Sequence, residues 1–320
     1  MKGLLLASAV IAFLASPAAA KYPERAISII VPLPPGGPAD TVARVVGQNL
    51  QERLGQPVTI DNRPGALGLI GAEIGAHAKP DGYTIVMVSS GLAIQAATQP
   101  KTIHFDVHKD LSPVTYAVKV PMVVASGPNA PFKTMKEFVE YAKTKPGQLS
   151  VGVSPGLGGT AHLTLERMKL GVGLDVVAVP YKGSAPAIQA LLSGEVPAVI
   201  DTLAGMSGLI DDGKIRALAM LTDQPATRHK RIPIISAAGF PGYAADTWNG
   251  FMVPGGTPKE IVEVLHHEIV AILALPKVKE KILAIGLEPA TNTPEEFSRS
   301  FDAAIATWTK VAADANLTFE

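Results

Sequence analysis

Short apolar, β-branched runs alternate with segments of helical periodicity along nearly the whole chain, and this alternation restricts the fold more than any other feature. "AISIIVPLP" (26–34) ends in prolines and predicts a buried strand. After the turn "PPGGPAD", Val42, Val45, Val46, Leu50 and Leu54 recur at helical spacing, with Asp40 placed to cap that helix and Gly55 to end it. "PVTIDN" and "YTIVMVSS" predict the next strands, and "GALGLIGAEIGAHA" a helix between them. The order returns after residue 120, with strands in "MVVASG", "LSVGVS", "DVVAVPY", "PAVID" and "IRALAML" and helices in "TMKEFVEYAKT", "TAHLTLERMKL" and "SAPAIQALLSG". "TPKEIVEVLHHEIVAILA" and "TPEEFSRSFDAAIATWTKVAADA" predict a largely helical end. Such alternation specifies an α/β fold of mostly parallel sheets flanked by helices, because parallel neighbours need a crossover long enough to hold a helix.

The chain opens with Lys2, the apolar block "GLLLASAVIAFLA" and the small residues Ala18 and Ala20 before Lys21, the pattern of a cleaved signal peptide over residues 1–20. The apolar block falls short of the ~20 residues that a membrane span requires. The expected product is soluble and periplasmic. Basic and acidic residues number 28 each, so loss of Lys2 leaves a nearly neutral chain, which argues against nucleic acid or an anionic membrane as partner. With no cysteine for a disulfide or a lipid anchor, stability must come from a conventional core, which 320 residues of 47% hydrophobic content can build. "VKVPMVV" near 120 and "MLTDQPATRHKR" near 222 are candidate crossings between two domains. They divide the chain into a discontinuous first domain, 21–121 plus 223–320, and a second domain, 122–222.

Two turns carry the chemistry. "PLPPGGPADT" and "VSPGLGGTAH" each follow an apolar strand, bend through proline and glycine, and open a helix. A helix start presents N–H groups without partners and roughly half a positive charge, and glycine lets an oxyanion approach them closely. The alternative for both turns is a tight strand-to-helix connection and nothing more. Gly152-Val153-Ser154-Pro155-Gly156 also fits the G-x-S-x-G elbow of a serine hydrolase, with Asp175, Asp201 and His229 following in a permissible order. That elbow needs a backbone N–H from the residue after the serine, and Pro155 has none. "HHEIV" lacks the second histidine of a zinc motif because position 271 is Ala271, and "IHFDVHKD" is too polar and loop-like to make His104 and His108 a metal pair. Neither metal nor cofactor is expected, and the plain reading of His162 is a histidine hydrogen-bonded to backbone.

"IIVPLPPGGPADTVAR", "GQPVTIDNRPGALGLIGA", "PDGYTIV", "GGTAHLTLE", "VPYKGSAPAIQALLSGEV", "GKIRALAM" and "FPGYAADTWNGFMVPGGTP" occur in the order of a known family. The chain resembles the Bug family, extracytoplasmic solute-binding proteins of tripartite tricarboxylate transporters. The resemblance implies a two-domain clamshell of the type II periplasmic-binding-protein kind that closes on a small carboxylate, a di- or tricarboxylate. It also implies a monomer that serves membrane permease subunits. Its first-domain seat would be Pro34, Pro35, Gly36, Gly37, Asp40 and Thr41 with Ser89 and Ser90. The second-domain seat would be Ser154, Gly156, Gly158, Gly159, Thr160 and His162, with Tyr181, Lys182, Gly183, Asp201 and Thr202 around the cleft. Leu33 stands where family members often have an aromatic residue, implying a smaller pocket wall, and "PIISAAGF" replaces another common segment. Asp201 has two readings, acceptor for a ligand hydroxyl, ammonium or amide, or cap of a helix starting near Leu203. Trp248 reads as domain packing, or as a stacking platform if the ligand is aromatic. A secreted hydrolase using Ser154 and a ligand-binding accessory to a membrane sensor are the competing functions.

Overall fold

The computed structural model describes residues 22–245 and 247–317; the leader expected over 1–20 lies outside them. The elements that form the first half are β1 (Ile27–Val31), α1 (Pro38–Leu54), β2 (Val58–Asn62), α2 (Leu69–Ala76), β3 (Thr84–Ser89), α3 (Ser90–Thr98) and β4 (Leu111–Lys119). Next come β5 (Met122–Ser126), α4 (Met135–Thr144), β6 (Leu149–Val153), α5 (Thr160–Val172), β7 (Val176–Pro180), α6 (Ser184–Ser193), β8 (Ala198–Thr202), α7 (Leu203–Asp211) and β9 (Arg216–Met220). The chain ends with β10 (Trp248–Pro254), α8 (Lys259–Ala274), α9 (Pro276–Ala284), β11 (Glu288–Pro289) and α10 (Pro294–Asp314).

One sheet has the order β11-β4-β10-β3-β1-β2 and the other β7-β6-β8-β5-β9. β1 pairs in parallel with β2 and β3, and β6 in parallel with β7 and β8. Each sheet then takes one central strand that runs against its neighbours, β10 between β3 and β4, and β5 between β8 and β9. These are the strands by which the chain arrives from the opposite sheet, so they enter from the other end. The α/β two-lobed architecture is as expected, but the sheets are mixed and not mostly parallel, because β10 and β5 run against both of their neighbours and β11 against β4.

Helices cover both faces of each sheet. α1 and α8 bury Val42, Val46, Leu50, Leu265 and Ile269 on one face of the first sheet, and α2, α3 and α10 bury Leu69, Leu92, Phe297 and Phe301 on the other. α4 and α5 cover one face of the second sheet through Phe138, Ala161, Leu165 and Met168; α6 and α7 cover the other through Leu191 and Met206. α2 lies close to its sheet because its glycines leave room: a Cβ on Gly71 would sit 2.6 Å from that of Pro32. The first crossing falls near Val120, but the second falls at Thr247 and not near 222, because after β9 the chain stays on the second sheet and buries Ala226, Ile232, Ile235 and Ala245 there. Val120 N–H donates to the Thr247 carbonyl at 2.8 Å and the Thr247 hydroxyl to the Val120 carbonyl, tying the two crossings together. A small cluster of Ile94 from α3, Leu163 from α5, and Trp308 and Val311 from α10 joins the helices of the two sheets.

Candidate functional site: a cleft between two helix starts

A cavity of about 360 Å³ opens between the sheets. Its first-sheet wall comes from Pro32, Leu33 and Pro34 after β1, from Pro64, Gly65, Leu67 and Gly68 after β2, from Ser89, Ser90, Gly91 and Gln95 at the start of α3, and from Thr247, Trp248 and Asn249 entering β10. The second-sheet wall is Pro155, Gly158, Gly159, Thr160 and Thr202, with Val120 at the crossing. None of these side chains is charged, and hydroxyls, amides and backbone supply the polarity. The cavity thus lies at the carboxyl ends of the parallel strands, where open α/β sheets leave a crevice.

Local sequence explains the second-sheet wall. Gly156 (φ 86°) and Gly158 (φ 77°) adopt left-handed conformations that side chains resist, turning the chain after β6 so that α5 starts at the cavity. Its N-cap, Gly159, has no side chain with which to cap, so the first-turn N–H groups of α5 have no acceptor of their own. The Gly158 N–H is an exception: it donates to His162 Nδ1 at 3.2 Å. Burial lowers the pKa of His162, with Glu166 acting in the opposite direction. His162 therefore braces the turn, as its plain reading had it, and does not line the cavity.

The first-sheet wall departs from expectation. The cavity meets α3, whose N-cap Ser89 accepts a hydrogen bond from Gly91 N–H at 3.3 Å. Of the glycine turn before α1 only Pro34 reaches it; Pro35, Gly36, Gly37, Asp40 and Thr41 stand aside. Asp40 is not the cap of α1, which is Gly37; it lies in the first turn, buried, and reaches back. Its Oδ2 accepts from Gly36 N–H and Arg44 Nε, both at 2.9 Å, and its Oδ1 from Asn62 Nδ2 at 2.9 Å. Burial would raise its pKa, but the bonds from Arg44, Gly36 and Asn62 outweigh this and hold the carboxyl below its usual range. Asp40→Ala strands these donors, and we expect it to cost about 1–3 kcal/mol in chemical denaturation at neutral pH. The loss shrinks as pH falls through the depressed pKa, where the native carboxylate also gives up its charge.

The remaining expected residues lie behind or beside the cavity. Tyr181 donates to Glu195 Oε1 at 2.8 Å, and desolvation, then Glu195, pushes its pKa up to about 12. Lys182 is exposed and Gly183 is the N-cap of α6. Ser154 is buried beside Asp201, and Asp201 Oδ1 accepts from Ser184 Oγ at 2.9 Å and from Thr202 N–H at 2.6 Å. Asp201 is therefore not the cap of α7, whose N-cap is Thr202. Burial pushes its pKa up to about 6 against the opposing pull of the Thr202 N–H and the neighbouring Ser184 and Ser154 hydroxyls. His229 pairs with Asp211 at 3.6 Å, whereas the group beside the Ser154 hydroxyl is the Asp201 carboxylate and not a histidine. Trp248 packs in the core, as its first reading had it, stacking on Tyr116 at 4.8 Å, and it also contributes to the cavity wall.

Sequence reasoning missed Pro32, Pro64, Gly65, Leu67, Gly68, Gly91, Gln95, Val120, Pro155, Thr247 and Asn249 as lining residues. The signal for Pro64, Gly65, Leu67 and Gly68 is present in "NRPGALG", a third strand end that bends through proline and glycine.

This arrangement defines a class, a two-lobed solute-binding protein with its site in the interlobe cleft. Residues 42–317 match the model of the TctC family, the tripartite tricarboxylate transporter family receptor. BugT of Bordetella pertussis is 36% identical over 296 residues, 92% of this chain and 90% of BugT. An R. palustris protein solved with adipate superposes with a TM-score of 0.83 at 35% identity, covering 93% of this chain and 99% of the other. MatC from Rhodopseudomonas palustris with bound malate gives 0.77 at 28% identity, covering 91% and 99%. The chain belongs to the tripartite tricarboxylate transporter receptor family and, like its relatives, is a binding receptor and not an enzyme. No helix among the described residues is long and apolar enough to cross a membrane, and no group of metal-binding side chains occurs among them.

Proposed function

We propose that this chain is a periplasmic receptor, exported by its leader, that captures a small di- or tricarboxylate between its lobes for the permease subunits of a tripartite tricarboxylate transporter. The observation that carries this reading is the meeting of two helix starts, α3 and α5, at one cavity whose lining holds no charged side chain. Each start can seat a carboxylate on backbone N–H groups, aided by the hydroxyls of Ser89, Ser90, Thr160 and Thr202. The proline, leucine and tryptophan walls between them suit a hydrocarbon spacer better than the hydroxylated, triply charged body of citrate. Relatives solved with adipate and with malate support a carboxylate ligand.

The mechanism is closure of a monomer. The chain passes between the lobes at Val120 and again at Thr247, and these paired crossings act as the hinge; the stretch after β9, expected in the first lobe from 223, packs on the second sheet through Ala226, Ile232, Ile235 and Ala245. A ligand seated on one lobe gains the second helix start only when the lobes meet, and that difference in contact shifts the population toward the closed form. The test is a melting panel of C4 to C8 dicarboxylates, citrate, aromatic acids and acidic amino acids. An acid present at 100 times its Kd should add about 2.7 kcal/mol of stability, with adipate and its homologues expected to outrank citrate. Stabilisation by none of the acids would refute the reading.

A further inference from the structure

Asp201 stands out beneath the second helix start. It is 1% exposed, and it gathers the carboxyl ends of three parallel strands: Ser154 follows β6, Ser184 opens the helix after β7, and Asp201 is the last residue but one of β8. Oδ1 takes the Ser184 hydroxyl and the Thr202 N–H, whereas Oδ2 is buried with no hydrogen-bond partner. Thr202, whose N–H it holds, lines the cavity. A buried carboxylate with an unpaired oxygen is costly, and an anion brought into the cavity against Thr202, the next residue, adds like-charge repulsion.

We propose that Asp201 is the charge-selecting residue of the second seat: it takes up one proton when an anionic ligand binds, so that the seat accepts a carboxylate only with Asp201 neutral. The inference rests on the carboxylate reading given above. Among the groups packed against β8, His162 is the other that can take a proton, and its Nδ1 already accepts the Gly158 N–H. β5, β6 and α6, which pack against β8, contain no titratable side chain. α5 brings His162, Glu166, Arg167 and Lys169, of which Glu166 pairs with Lys169 at 2.9 Å and Arg167 bonds the carbonyls of Ala244 and Gly242. α7 has only Asp211, at its far end. Burial pushes the carboxyl up to about 6, so the proton is mostly absent at neutral pH and can be taken up.

Two measurements test this separately. In the ligand-free protein, carbonyl NMR of the wild type should show a side-chain carboxyl titrating near pH 6 that disappears in Asp201→Asn. Because the folded-state pKa is raised, the stability of the wild type relative to Asp201→Asn should fall as pH rises from about 4 through 6. Absence of that titration would overturn the proposal whatever the ligand. Calorimetry with adipate as probe, in buffers of different ionisation heat, should then show proton uptake on binding at pH 7. Affinity should fall about fifty-fold between pH 6 and 8, as the neutral fraction of a group with a pKa of about 6 does, whereas Asp201→Asn binds with little pH dependence and no proton uptake. The same pH profile in both proteins, or binding by the wild type without proton uptake, would overturn it. An Asp201 that titrates as expected in a protein that binds no acid of the panel would refute the carboxylate reading instead, and with it the assigned role.

Discussion

Gly159→Asp is expected to fold as well as the native chain and to bind its ligand at least about 100-fold more weakly, the loss of two charge-assisted hydrogen bonds at about 1.5 kcal/mol each. The substitution is sterically mild: a Cβ at Gly159 would find its nearest neighbours, Gly156 O and Pro155 Cδ, at 3.4 Å. The backbone is extended there (φ −81°, ψ 170°), a conformation aspartate adopts readily, and aspartate is a preferred N-cap. The new carboxylate would therefore cap α5 itself, occupying the N–H groups that the ligand needs and adding a like charge. Calorimetric titration beside a denaturant melt reads both effects. Unchanged affinity in a stable variant would place the second seat elsewhere. Gly156 and Gly158 make poorer probes, because their positive φ would confound lost binding with strain.

Trp308→Ala is expected to cost about 3–5 kcal/mol of stability and, beyond that, to weaken ligand binding from a distance. Trp308 is 5% exposed and packs with Ile94 of α3 and Leu163 of α5, the two helices whose starts meet the cavity. α5 divides its burial: Ala161, Leu165 and Met168 face their own sheet, while Leu163 faces this cluster. Removing the indole takes away the common support that holds the two starts in register across the cleft. Phe138→Ala is the control, since Phe138 of α4 is as deeply buried in the core of the second sheet, away from both starts. Comparable stability loss is expected in both variants, with affinity reduced only in Trp308→Ala. Equal affinities would make the cluster ordinary packing.

The missed elements share a physical cause. β4 contains Pro113, which demotes a run when read as a central strand; in the fold a register irregularity beside Pro113 absorbs the missing N–H. β10 is buried on both faces along its length and so lacks the alternation that marks a strand. α3 is nearly apolar all round, with Leu92, Ala93, Ile94 and Gln95 buried in succession, so it shows no amphipathic stripe. Its first residues, Ser89 and Ser90, were recognisable as a polar strand end but not as a helix start.

What depends on neighbours along the chain was determined by sequence alone: the strand–turn–helix order, the ends of α1 and α5 at Gly55 and Thr160, and the loss of the hydrolase's N–H donor at Pro155. These follow from local backbone geometry, which a few adjacent residues set. Only the tertiary structure decided which helix starts confront each other. Both glycine turns look alike in sequence, yet the one before α1 bonds inward to Asp40 while α3 takes its place at the cavity. It also decided that Asp201 lies buried with one oxygen unpaired. Both outcomes depend on how two sheets joined by paired crossings set their strand ends against one another, a relation between residues far apart in the chain that no local pattern encodes.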